Sequence, residues 1–462
     1  MQRNVFILLL IAFGFPAFAQ NITGSWGGTL DIQGNKLRLV FNITKTDSAY
    51  VTKLDSPDQG AFGLPTTKTT FGDNRLEIVA SGLGLSYSGT LEQDSINGTF
   101  SQGGMSFPLI LKPVSMPELN RPQMPKEPLP YKTEEVMIAN KKDDVYLSGT
   151  LTMPDSAALF PAVILIAGSG PNDRDETVFG HKPFLVLADY LTRNGFAVLR
   201  YDKRGVGKSS GDYRKATTED FASDVQAAIE FLKQRNEIDK KRIGLIGHSE
   251  GGTIAPMVAA KNKNVDYIVL MAGMGVKASE ILLDQNVILL RQEKVDSTTI
   301  ENLKPVIADV LNYVSEWEGT EANKTVLRDK ITQMWEKLPI LLRLKVKKDV
   351  YIRNNYNVMI TPWYRNFVKI DPSAYLEQVK CPVFALNGEK DSQVPAAKNL
   401  AAIESALKKG KNTHFEIKEY PNLNHLFQES ETGYADEYGK IEQTISPRVL
   451  SDIVNWINAQ TR

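Results

Sequence analysis

Cysteine occurs once in these 462 residues, at Cys381. A lone thiol rules out an intramolecular disulfide and a cysteine-based metal cluster. Cys381-Pro382-Val383-Phe384-Ala385-Leu386 reads as the start of an inner strand, which makes the thiol buried packing. An excess of charge is also missing, because Lys+Arg and Asp+Glu are each 54 and the formal net charge is zero. That balance carries no electrostatic footprint for nucleic acid, anionic lipid or a cationic partner. Beyond the first twenty residues no stretch is long and apolar enough to cross a bilayer. There is no H-E-x-x-H and no calcium loop, so nothing calls for a metal or a cofactor. Gly205-Val206-Gly207-Lys208-Ser209 imitates a phosphate loop, but Asp202 stands where its first glycine belongs, and Ser210 spoils the G-x-G-x-x-G spacing. Histidine is scarce, with four in the chain: His181, His248, His414 and His425.

What is present begins with a positive start, Met1-Gln2-Arg3-Asn4, and an apolar run from Val5 to Phe15 interrupted by Gly14. Pro16-Ala17-Phe18-Ala19 then sets small residues before a cut ahead of Gln20. This is the layout of a secretory signal peptide over residues 1–19, with an uncleaved anchor as the alternative. It predicts an exported chain, periplasmic or extracellular, with no membrane span once mature.

A chain of this length exceeds what one core organises, so more than one domain is expected. Residues 20–112 read as a small β-sandwich or β-barrel. Leu37, Leu39, Phe41 and Ile43 alternate onto one strand face, and strands around Leu85–Leu91 and Gly98–Phe100 flank a turn over Asp94–Gly98. Six prolines between Pro113 and Pro130 forbid helix and sheet interior, which predicts an extended linker over residues 113–130.

From Tyr131 to the end, residues 131–462, short apolar strands alternate with helices, the texture of a mostly parallel sheet covered on both faces. Strands are expected at 162–166, 197–201, 243–247, 267–271, 383–387 and 414–420. A helix over Phe221–Lys233 has its N-cap near Thr218. Residues 277–375 hold helical patterns and no strand, which predicts a helical cap inserted between two strands.

The strongest chemical signal is Gly247-His248-Ser249-Glu250-Gly251-Gly252, directly after a strand and before a helix. A G-x-S-x-G turn in that setting presents a strained, exposed serine as nucleophile. The N–H of Glu250 then points at the place where a tetrahedral oxyanion forms. A second donor belongs to the loop Ala167-Gly168-Ser169-Gly170-Pro171, with the N–H of Ser169 favoured and Gly170 next. The charged run Asp173–Asp175 after it reads as a solvated, self-paired loop. His425 follows the last strand and fits the chain order serine, acid, histidine; His248 should diverge from its neighbour Ser249. Asp391, at the turn of Asn387-Gly388-Glu389-Lys390-Asp391, orients the imidazole, and Glu389 is the alternative.

Taken together, the 167–175 loop, Arg200–Ser209, the serine elbow, Pro362-Trp363-Tyr364-Arg365 and Asn387–Asp391 resemble bacterial α/β-hydrolase carboxylesterases related to the serine-aminopeptidase and dienelactone-hydrolase groups. The resemblance covers about residues 131–462. It implies the α/β-hydrolase fold and a cofactor-free esterase acting on small-molecule esters of short or medium acyl chains, with Ser249, Asp391 and His425 as its triad. Ala167 stands where many lipases carry histidine. A serine peptidase or amidase with the same triad is the alternative, and a binding protein on a hydrolase scaffold is a third reading. Trp363, Tyr364 and Phe367 either line an acyl pocket or pack the cap.

Overall fold

A computed structural model describes residues 22–460 apart from 33–34, 47–48, 60, 116–119 and 157. The signal-peptide segment, residues 1–19, lies outside the described residues. The chain divides into two compact units, Met1–Glu118 and Leu119–Arg462.

The first unit is built from β1 (Gly24–Ile32), β2 (Asn35–Lys45), β3 (Tyr50–Ser56), β4 (Ala61–Pro65), β5 (Lys68–Gly72), β6 (Arg75–Ala80), β7 (Leu85–Glu92), β8 (Ser95–Gln102) and β9 (Met105–Pro113). They form one antiparallel sheet in the order β4-β3-β2-β1-β9-β8-β7-β6-β5. The sheet curls on itself, for Thr69 Oγ1 of β5 donates to Thr52 Oγ1 of β3 at 2.8 Å. Alternation puts Leu39, Phe41 and Ile43 into a core shared with Leu76, Ile78 and Tyr87. The β7–β8 turn is Gln93-Asp94, earlier than the turn expected over 94–98, because Glu92 pairs with Ser95. Gly98 is a strand residue whose missing Cβ admits the Tyr87 ring, since a methyl there would stand 2.6 Å from the phenol oxygen. That hydroxyl donates to the Ile96 carbonyl at 2.9 Å.

The second unit opens with a hairpin outside the expected strands, β10 (Tyr131–Asn140) and β11 (Val145–Pro154). There follow β12 (Phe160–Ile166), α1 (Pro183–Arg193), β13 (Ala197–Tyr201), α2 (Thr218–Lys233), β14 (Ile238–His248), α3 (Glu250–Ala259) and β15 (Ile268–Met271). The inserted helices are α4 (Ala278–Gln292), α5 (Ser297–Ser315), α6 (Glu321–Lys337), α7 (Ile340–Arg343), α8 (Lys348–Met359), α9 (Pro362–Phe367) and α10 (Ser373–Leu376). The chain ends with β16 (Val383–Gly388), α11 (Ala396–Lys409), β17 (Phe415–Tyr420), α12 (Ala435–Tyr438) and α13 (Pro447–Gln460).

The sheet order is β10-β11-β13-β12-β14-β15-β16-β17, antiparallel at its first two pairings and parallel from β13 onward. Period-two alternation sends Ala162, Ile164 and Ile166 of β12 towards α2, α3 and α11, and Val163 and Leu165 towards α1 and α13. The inserted helices bury a core of their own around Leu303, Val310, Leu327 and Ile331. Helix α2 is capped by Thr217, one residue before the expected cap, in a box with Asp220.

Part of the proline-rich stretch expected as a spacer is bound to this second unit. Arg121 donates to the carbonyls of Ile441, Gly439 and Phe179 at 2.9, 2.9 and 3.1 Å, and Gln123 brackets Ile445 and Thr444. Proline denies this segment a ladder, so its side chains satisfy the carbonyls of the loop before α13. The same loop holds His181, which is fully buried, with Nδ1 at 2.9 Å from Thr444 Oγ1 and Nε2 at 2.9 Å from Tyr438 O. Burial pushes its pKa down to about 4 from the ordinary 6.5. The neutral ring therefore favours the fold fully above pH 6.5, and that contribution is lost as the pH falls from 6.5 towards 4. Ring-proton NMR, with only four histidines to assign, should give His181 a midpoint near 4. A midpoint near 6.5 would contradict its burial.

Candidate active site

Strand β14 runs straight into helix α3 through Ser249, whose backbone sits at φ 54°, ψ −118°. A side-chain-bearing residue avoids this region, and the turn survives because its neighbours leave no alternative. A Cβ on Gly247 would stand 2.0 Å from the Gly251 carbonyl oxygen, and one on Gly251 would stand 2.0 Å from that of Ile166. The Ser249 N–H donates to the Met271 carbonyl at 2.8 Å, pinning the elbow to β15.

His425 lies in the loop after β17 and is 3% exposed. Its Nδ1 is 2.7 Å from Asp391 Oδ2. A carboxylate only accepts, so Nδ1 is the donor of this bond, which in the neutral ring leaves the lone pair on Nε2. The other carboxylate oxygen of Asp391 accepts the N–H groups of Gln393 and Val394, both at 2.8 Å. Glu389, the alternative acid, instead accepts the Asn422 N–H at 2.9 Å. The histidine loop is organised by Asn424, whose Oδ1 takes the N–H groups of Leu426 and Gln428 at 3.0 Å. Nothing in the pattern of the sequence marks Asn424 for that task.

His248 diverges from Ser249 as its position demands. Its Nδ1 meets Glu176 Oε1 at 3.0 Å and its Nε2 the His425 carbonyl at 3.0 Å, with the two imidazoles 4.8 Å apart. Burial disfavours the charged ring, but the Glu176 carboxylate, the His425 carbonyl and the Asp391 charge together outweigh it and hold the pKa above the ordinary value. Glu176 also accepts the Gly168 N–H at 2.6 Å. Nothing in the sequence singles out Glu176, which directly follows the charged run Asp173–Asp175. That run is only partly self-paired. Asp173 caps its own turn, whereas Asp175 pairs with buried Arg200, and Arg174 reaches buried Asp202 at 2.9 Å.

A cavity of about 270 Å³ opens over the elbow. Its wall includes Ser249, His425, Glu250, Gly168 and Ser169, so the structure brings the expected nucleophile, base and two of the expected donors to one space. Gly170 is outside that wall; at φ 103° it turns the chain, and its carbonyl accepts the Asn172 N–H at 2.9 Å. Ile281, Leu282 and Gln285 of α4 and Trp363 and Phe367 of α9 close the cavity from the cap. Tyr364 packs in the cap core instead. Cys381 is absent from the cavity wall; it is partly buried against the sheet core, and that burial pushes its thiol up to about 12. Among the described residues no cluster of potential metal ligands is found. Hydroxyl, imidazole, carboxylate and paired N–H groups together are what acyl transfer through a covalent intermediate requires.

Residues 182–431, more than half of the chain, match the family model described as serine aminopeptidase, S33. Esterase EstD of Thermotoga maritima is 27% identical over 314 residues, a match that takes in 67% of this chain and 65% of that protein. An acyl transferase of Photobacterium leiognathi is 38% identical over 94 residues, 20% of this chain and 28% of its own length. The chain thus spans less than two thirds of the length of these relatives. Among solved structures, an esterase of Pyrococcus furiosus has a TM-score of 0.44 at 18% identity, covering 75% of this chain and 99% of that one. This chain belongs to the serine aminopeptidase S33 family, with the α/β-hydrolase fold.

Proposed function

We propose that the protein is a serine hydrolase that cleaves carboxylic esters of small molecules through an acyl-enzyme on Ser249. The observation that carries this reading is the Asp391–His425 pair at 2.7 Å, whose imidazole lines the same cavity as the strained serine. His425 takes the hydroxyl proton as Ser249 attacks the carbonyl, and the N–H groups of Glu250 and Ser169 receive the oxyanion. The protonated imidazole gives its proton to the leaving alcohol. Water activated by the same ring then releases the acid and restores Ser249.

Ester cleavage is favoured over removal of N-terminal residues from peptides. Recognition of a free ammonium needs a carboxylate open to the substrate. The wall carboxylates are Glu176 and Glu250, which are only 5% and 1% exposed, with Glu176 Oε1 shared by the Gly168 N–H and His248 and Glu250 Oε1 held by Thr218 and Trp363. The similarity to an esterase supports the same choice. A cavity of about 270 Å³, at the small end of ligand pockets and lined by Ile281, Leu282, Trp363 and Phe367, suits a short or medium acyl chain. Export rests on the leader-like residues 1–19.

Incubation with a fluorophosphonate should add one adduct by intact mass, and Ser249→Ala should remove it. No adduct on folded protein would sink the reading. Asp391→Asn should lower kcat roughly 10⁴-fold on an aryl ester, while Glu389→Gln stays near wild type; the reverse result would move the acid to Glu389. Turnover of an aminoacyl anilide above that of the aryl ester would favour the peptidase. For export, the mass of protein secreted from cells expressing the whole chain should correspond to a mature N-terminus at Gln20.

A further inference from the structure

Lys203 follows β13 and is 4% exposed, an unusual place for an ammonium. Its Nζ donates to the Gly168 carbonyl at 2.5 Å, lies 3.5 Å from Glu250 Oε2, and sits 4.2 Å over the Phe221 ring. Glu250 is 1% exposed, and its Oε1 accepts from Thr218 Oγ1 at 2.7 Å and from Trp363 Nε1 at 2.8 Å. These two side chains take no part in the proton transfers, and removing a charge pair from water is costly. Their partners show what the pair holds in place.

The Gly168 carbonyl shares a planar trans peptide with the Ser169 N–H, and in such a peptide the two groups point in opposite directions. Fixing the carbonyl therefore aims the N–H. A Cβ on Gly168 would stand 3.1 Å from Ser249 Cβ, so this peptide borders the nucleophile. The other oxyanion donor is the backbone of Glu250 itself. One buried cation thus grips the peptide of the first donor and the side chain of the second, and the cap residue Trp363 bonds to the same carboxylate.

We propose that the Lys203–Glu250 ion pair is the positioning device of the oxyanion hole, setting the Ser169 and Glu250 N–H groups in register and latching the cap to them through Trp363. The inference rests on the serine-hydrolase reading. Lys203 also polarises the Gly168–Ser169 peptide, which strengthens its N–H as a donor. Asn172 Nδ2, at 2.7 Å, is a neutral second donor to the same carbonyl.

The test compares wild type, Glu250→Gln and the double variant Lys203→Met/Glu250→Gln. The double variant leaves no unpaired buried charge, and the single change alters no volume. Melting temperature, kcat and KM on an aryl ester, and affinity for a trifluoromethyl ketone that forms a tetrahedral adduct on serine are read for each. The double variant should melt within a few degrees of wild type yet lose about 10²-fold or more in kcat. KM should stay within about threefold, and ketone affinity should fall in step with kcat. Glu250→Gln should show the same pattern in smaller measure. A purely structural pair would instead lower the melting temperature and spare kcat in whatever remains folded. If wild type takes the phosphonate and both variants keep kcat within about threefold, the inference is overturned and the serine-hydrolase reading stands. If wild type takes no phosphonate, the reading fails and the inference with it. Should the double variant not fold, the kcat and ketone affinity of Glu250→Gln decide.

Discussion

Ser249 is held at φ 54°, and the rest of the site depends on that turn. A non-glycine residue there costs about 1–3 kcal/mol, so the surroundings must over-determine it. They do so by close approach. Gly247 and Gly251 leave backbone against backbone where any methyl would collide, and the Ser249 N–H is tied to β15. The hydroxyl is thereby lifted off the end of the sheet. β14 has to lie between β12 and β15 for these contacts to exist, and the sheet order supplies that.

A parallel sheet delivers the remaining groups to the same end. The loops after β12, β16 and β17 leave in the direction of the elbow after β14, and they carry Gly168 and Ser169, Asp391, and His425. Each group is then fixed by neighbours with no chemical task of their own. Gln393 and Val394 donate to Asp391, Asn424 shapes the histidine loop, and Glu176 ties Gly168 to His248. Buried charge recurs in this support. Glu176, Lys203 and Glu250 all lie within one contact of the cavity wall, where breaking a buried polar contact is costly.

The cap adds a wall and a bond. Helices α4 and α9 supply apolar side chains over the serine, and Trp363 also donates to Glu250 beneath it. The cap is thus joined to the donor side of the site as well as roofing it.

The alternating strands, the elbow with its glycines, the chain order of Ser249, Asp391 and His425, and the long helical insertion were all legible in the sequence. Each is a local pattern: period two, period 3.6, or residue types that a strained turn demands. The β10–β11 hairpin was less visible, because Lys132, Glu134 and Glu135 put charge on both faces of an edge strand and blur its alternation. The Gln93-Asp94 turn was misplaced because Gly98 makes room for the Tyr87 ring, a contact between strands that no local rule anticipates. Only the tertiary structure decided which charges go inward. Asp173, Asp175 and Glu176 look alike along the chain, yet the first caps a turn, the second meets buried Arg200, and the third reaches His248. Nothing local to Lys203 marks it for burial either, until the fold brings it to Gly168 and Glu250. Periodicity states which face of an element is apolar. The partner of a charge is set by residues distant in sequence, and those meet only once the sheet has assembled.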